Sequence, residues 1–220
     1  MIKVDCTLCG AISRSAEVKT NKEGNPFLAF SVSYPAIGRD KSSCNVEIHV
    51  SSDGDQQAAS TFTTGRKVSV RGTLTIRKKG DNVYYNLRTD SLPALVSNTT
   101  EDTLKGTAHY EGKTSKRDLR ISKDKNGKEY IGFSGWSKDK EKDSDEVAFI
   151  WFNFMCFHPN DDMKALIKPD TYLAIDGDFE LASYNGKIDN NITVKSVKPV
   201  DFDAKKGNAG KDGKAKDGKA

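Results

Sequence analysis

Cysteine, histidine and tryptophan are scarce in this chain, at four, three and two among 220 residues, and the scarcity removes several kinds of chemistry. Cys6, Cys9, Cys44 and Cys156 lack the framework spacing that small secreted domains use, so free thiols in a reducing compartment are expected. Cys6-x-x-Cys9 has no second pair to complete a zinc site, and residues three apart on a strand point to opposite faces. His49, His109 and His158 are scattered, and Asp161-Asp162 suits a helix start better than a metal-dependent hydrolase site. Gly112-Lys113-Thr114 has the end of a phosphate loop, but five residues separate Gly106 from Gly112 where the motif allows four. No metal or cofactor is therefore expected, and an enzyme is the weaker reading.

Long hydrophobic runs are missing too. No apolar stretch follows Met1-Ile2-Lys3-Val4-Asp5, and none elsewhere could cross a bilayer as a helix, which points to a soluble cytoplasmic protein without a membrane partner. Charge of a single sign is also lacking: 35 Lys/Arg against 31 Asp/Glu leave only +4. The excess is unevenly placed, with 13 Lys/Arg against 9 Asp/Glu in residues 1–97 and 16 against 18 in residues 98–200. A polyanion partner is compatible with this balance, because such a binder need be basic only along its groove.

What the chain does contain is a phrase stated twice. Gly24-Asn25-Pro26-Phe27-Leu28-Ala29-Phe30-Ser31 returns as Gly127-Lys128-Glu129-Tyr130-Ile131-Gly132-Phe133-Ser134, each a glycine turn leading into period-2 alternation. Around it, in the same order, Thr7-Leu8-Cys9-Gly10 matches Thr103-Leu104-Lys105-Gly106. Val68-Ser69-Val70-Arg71-Gly72-Thr73-Leu74 matches Leu173-Ala174-Ile175-Asp176-Gly177-Asp178-Phe179. Four ordered matches, counting Asp90-Ser91-Leu92 against Lys195-Ser196-Val197, argue for a duplicated domain of ordinary size. The expected division is 1–97, 98–200, and a tail from 201 to 220 whose Gly, Lys, Asp and Ala cannot build a core and should be disordered.

Each repeat reads as five short strands with a helix between the third and fourth. In the first, Asp55 caps a helix reaching toward Gly65, and residues 11–21 are a loop or an extension of the opening strand. In the second, Asn160 or Asp161 caps a helix that Pro169 stops. Residues 93–102 are expected to be the linker, residues 107–125 a longer first loop, and residues 138–146 a charged second loop.

This order is the plan of the OB fold, an all-β Greek-key barrel, so the fold expected is two tandem OB barrels. Gly24 to Ser33, together with Gly65-Arg66-Lys67-Val68-Ser69-Val70-Arg71-Gly72-Thr73-Leu74, resembles the bacterial single-stranded-DNA-binding proteins over nearly all of residues 1–92, and the second repeat looks like a diverged copy. The resemblance implies sequence-independent binding of single-stranded DNA in replication, recombination or repair, in a cellular, phage or mobile-element setting. It also implies four OB domains in the working unit, hence a homodimer of this two-domain chain. The first repeat departs from the family's stacking pattern, having Asn45 and Glu47 near an expected tryptophan, and the acidic tip ending in proline and phenylalanine is not found here. Recruitment of replication or repair proteins through such a tip is thereby put in doubt.

Holding unpaired strands takes flat rings for bases and cations for phosphates. Tyr130, Trp136, Trp151 and Asn153 fall on the outward side of strands two and three of the second repeat, and Tyr184 at its last hairpin. In the first repeat Phe27 corresponds to Tyr130, and Arg77, Lys78, Lys79, Tyr84 and Arg88 surround the last hairpin. Two readings stand for the aromatics, base stacking or a repeat–repeat or subunit interface, and two for the hairpin, phosphate binding or a solvated turn. The alternative function is an OB module that binds protein, or RNA, instead of single-stranded DNA.

Overall fold

The computed structural model describes residues 2–38, 40–117, 119–140 and 147–200. In chain order the elements are β1 (Ile2–Thr20), β2 (Pro26–Ile37), β3 (Ser43–Ser52), α1 (Gln56–Ala59), β4 (Lys67–Lys79), β5 (Asn82–Thr89) and β6 (Ala94–Val96). They continue with β7 (Thr103–Thr114), β8 (Arg120–Lys123), β9 (Glu129–Lys140), β10 (Val147–Phe157), α2 (Asp161–Leu166), β11 (Tyr172–Tyr184) and β12 (Lys187–Pro199). The expected disordered tail lies outside the described residues, as does most of the charged loop before Val147.

Pairing closes the sheet on itself twice. In the first half β2 joins β1 to β3, β3 runs parallel to β5, β5 pairs with β4, and β4 returns to β1. In the second half β9 joins β7 to β10, β10 runs parallel to β12, β12 pairs with β11, and β11 returns to β7. Each half is an OB barrel with its helix after the third strand.

Alternation explains the closure. Val68, Val70, Leu74 and Ile76 of β4 are fully buried, as are Ile2, Val4 and Leu8 of β1, and every second residue between them faces out. Where the barrel wall turns sharply, glycine is required by contact. A Cβ on Gly72 would lie 2.1 Å from the Arg88 carbonyl oxygen, and one on Gly177 would lie 2.3 Å from that of Thr193. These are the same glycine of the repeated phrase against the same position of the fifth strand, since Leu74 pairs with Leu87 as Phe179 pairs with Ile192.

The helices are short and capped as their sequences predict: the Ala58 amide donates to Asp55 Oδ1, and the Met163 amide to Asn160 Oδ1. The first stops at Ala59, well before Gly65. Phe62 lies beyond it and is held instead by stacking on Phe30, ring centroids 5.6 Å apart.

Of the two readings of residues 11–21 the extension holds, and two expected loops contain strand. Residues 11–20 extend β1, because their pairing with β2 gives those amides partners. The linker includes β6, which adds to β4 through Lys67 opposite Val96. The first loop of the second repeat is mostly strand, β7 running to Thr114 and β8 adding to β9, with the charged residues around Ile121 masking the short alternation.

The barrels meet where β1 and β7 pair antiparallel, from Lys3 opposite His109 to Cys9 opposite Thr103. Side chains extend the contact. The buried Tyr85 hydroxyl donates to Asn190 Oδ1 at 3.1 Å, and Arg77 reaches the buried carboxylate of Asp139 at 3.5 Å. Around the other hairpin Ser42 donates to Ser183 at 3.2 Å.

Candidate nucleic-acid interface

In β10 the buried residues Ile150, Phe152, Phe154 and Cys156 leave the odd positions on the outer surface. Their partners in β9 make a ladder across that surface: Phe149 opposite Lys138, Trp151 opposite Trp136, Asn153 opposite Ser134, Met155 opposite Gly132, and Phe157 opposite Tyr130. Tyr130 and Phe157 rings are 5.8 Å apart, and Trp136 is held edge-on by Phe149 at 5.0 Å and Tyr172 at 6.4 Å. Trp151 remains 53% exposed. The Asn153 amide donates to Asn191 of β12 at 3.3 Å, which fixes the middle of the ladder.

The same positions in the first barrel are polar. Val50 stands opposite Leu87 of β5 as Phe154 stands opposite Ile192 of β12, so Glu47 occupies the place of Trp151 and its partner Ser33 the place of Trp136. Glu47 accepts an ion pair from Arg14 at 3.2 Å, which keeps that face charged and hydrated. The aromatic surface belongs to one barrel alone.

The basic hairpin of the first barrel comes to this surface. β4 and β5 are joined at Gly80, with Arg77 opposite Tyr84 and Lys79 opposite Asn82. A cleft of about 600 Å³ between the barrels is lined by Arg77, Lys78, Lys79 and Tyr84 from the hairpin, and by Asp139, Val147, Phe149 and Trp151 from β9 and β10. Of the residues assigned from sequence, Trp151 of the second repeat thus shares one cavity with Arg77, Lys78, Lys79 and Tyr84 of the first, while Tyr130, Trp136 and Asn153 lie outside it.

Others lie elsewhere. Arg88 is exposed at the far part of β5, 3.5 Å from Asp90, and does not line the cleft. Phe27 is half-buried in β2 opposite Lys19. Tyr184, 64% exposed, stands opposite Lys187 at the β11–β12 hairpin, beside the contact with the β2–β3 turn. Sequence reasoning omitted Phe149, Met155 and Phe157, although they share the parity of Trp151; that parity was the available signal. Burial raises the Tyr85 hydroxyl's pKa, and donation to Asn190 Oδ1 needs its proton, so this group stays neutral at the contact between the barrels.

Among the described residues no cluster of His, Cys, Asp and Glu could hold a metal ion, and no helix is long and apolar enough to cross a membrane. No protein-family model matches the sequence, and no curated protein matches it. Among solved structures, the wild-type single-stranded DNA binding protein from Thermus aquaticus is similar, with a TM-score of 0.45 and 10% identity over 99% of this chain and 97% of that one. A deletion mutant of that protein gives 0.42 and 12% over 92% and 96%. The protein PriB from Ralstonia solanacearum gives 0.33 and 10%, covering 43% of this chain and 97% of its own.

Proposed function

We propose that this protein binds single-stranded DNA without reading its sequence and without catalysing a reaction on it, as a soluble protein acting where strands are exposed in replication, recombination or repair. The observation that carries the reading is the ladder of rings on β9 and β10, exposed at Phe149, Trp151 and Phe157 and half-buried at Tyr130 and Trp136, abutting the basic hairpin of the other barrel. Every base has a π-face, so rings stack on any sequence, contributing about 1–3 kcal/mol per base, while lysine and arginine neutralise phosphates nonspecifically. Paired bases within a duplex hide their faces, which makes the surface selective for single strands.

Competition tests this directly. A labelled thymidine oligonucleotide bound by the protein should be displaced by unlabelled single-stranded DNA of mixed sequence and not by the same mass of duplex. Displacement by both alike would leave only charge attraction. An RNA arm of equal length decides between DNA and RNA: tighter binding of RNA would replace the DNA reading.

Two chains together would supply four OB barrels, and we include a homodimer in the proposal. Light scattering at micromolar concentration should give twice the chain mass, and a monomer throughout would remove it.

A further inference from the structure

We infer that the cleft between the barrels is a nucleotide subsite through which one DNA strand crosses from the second barrel to the first, so that both barrels of a single chain hold the same strand. This rests on the single-strand reading above.

The cleft combines what one nucleotide needs. Its second-barrel wall is the ring of Trp151, 53% exposed, and Phe149, 41% exposed, and its first-barrel wall includes Tyr84, 38% exposed. These are flat or apolar surfaces on both sides of one opening, a geometry that receives a base between aromatic faces. Among the described residues its rim carries Arg77, Lys78 and Lys79 against one acidic lining residue, Asp139. Asp139 is buried and engages Arg77 at 3.5 Å, so its charge is directed at the guanidinium and away from a phosphate on the lysines. The Gly80 turn places the lysines at the opening, and the buried Tyr85–Asn190 hydrogen bond fixes the two walls relative to each other.

The cleft also continues on both sides. Toward the second barrel it opens on the ladder of Trp136, Asn153 and Phe157. Toward the first, Tyr84 lines a second depression with Asn45, His49 and the Arg14–Glu47 ion pair. Tyr84 therefore stands between two hollows, where a strand leaving the aromatic wall must pass. The first barrel lacks rings at the positions equivalent to Trp136 and Trp151, so its contribution to binding is made at this crossing, through the hairpin.

The test uses the intact protein and a thymidine tetranucleotide, at the short end of the roughly 4–16 nucleotides that one OB fold covers. With 5-iodouracil in place of each thymine, irradiation and peptide mass spectrometry should find cross-links to both Trp151 and Tyr84, and a fraction of protein joined to both by one oligonucleotide. Replacing Lys78 and Lys79 together by Gln should weaken tetranucleotide binding and flatten the slope of log K against log salt by roughly 0.7 for each phosphate that is no longer neutralised. A tetranucleotide that binds and cross-links only to second-barrel residues, with the salt slope unchanged in the lysine variant, overturns the crossing and leaves single-strand binding standing. Failure of long and short oligonucleotides alike to bind the wild-type protein overturns both.

Discussion

Leu8 and Leu104 stand opposite each other in the antiparallel contact of β1 with β7, and each is the leucine of a Thr-Leu-x-Gly phrase. Antiparallel strands that place equivalent residues opposite each other are related by a local two-fold axis, the geometry of an isologous contact. The two halves of this chain thus pair with each other as two copies of one barrel would. They differ at the outer face, where one has Trp136 and Trp151 and the other Ser33 and Glu47.

Gly72 and Gly177 test how each barrel wall closes. A Cβ at either would approach a backbone carbonyl of the fifth strand within 2.3 Å, and backbone cannot rotate aside as a side chain can. Gly72→Ala and Gly177→Ala should each destabilise the protein by about 1–3 kcal/mol, read from the urea midpoint. A midpoint unchanged in both variants would show that the barrel wall is not closed as described.

Tyr85→Phe tests the lock between the barrels. The substitution keeps the ring and removes the hydroxyl that donates to Asn190 Oδ1 in a buried setting, leaving that acceptor unsatisfied. A loss of about 1–3 kcal/mol is expected by denaturant unfolding, with weaker oligonucleotide binding as the cleft loosens. Unchanged stability would mean that water replaces the hydroxyl and that the walls are not fixed by it.

The seam between the barrels should respond to acid. His109 donates to Asp176 at 2.8 Å and lies 3.5 Å from Asp5, while Ser196 donates to Asp176 at 3.0 Å. The hydrogen bond from His109 holds the Asp176 carboxyl below the usual carboxylate range, with Ser196 and the charges of His109 and Lys198 adding to it. A depressed folded-state pKa contributes stability above the unfolded value, about 3.9, and that contribution is lost as pH falls through the folded one. The stability difference between wild type and Asp176→Asn should therefore shrink between about pH 5 and pH 2. A difference that stays constant or grows on acidification contradicts the assignment.

Repeat, glycine motif and caps were legible because each depends on local spacing: alternation places Leu28 and Phe30 inside, and Asp55 and Asn160 stand just before their helices. The site was only half legible. In Phe149-Ile150-Trp151-Phe152-Asn153-Phe154-Met155-Cys156-Phe157 nearly every residue is apolar, so hydrophobicity alone does not separate core from wall; parity sets Ile150, Phe152 and Phe154 on one face and Trp151 and Asn153 on the other, and only burial shows that Phe149 and Phe157 join the outer face. The cleft could not be read at all, because Tyr84 and Trp151 are 67 positions apart and meet through packing between barrels. Arg88 shows the converse, since nearness in sequence to the hairpin did not bring it to the cleft.

Trp151→Ala separates the two uses of an exposed ring. If the wall stacks bases, the variant loses about 1–3 kcal/mol of oligonucleotide binding and keeps the oligomeric state of the wild type. If the wall is a contact between copies, light scattering shows a smaller particle while any binding is retained.

The most direct measurement is tryptophan emission during titration with a thymidine oligonucleotide at low salt, because the chain's two tryptophans, Trp136 and Trp151, face each other on the proposed wall. The account predicts saturable quenching that weakens as salt is raised. Unchanged emission, together with no binding by an independent method at the same salt, would contradict it.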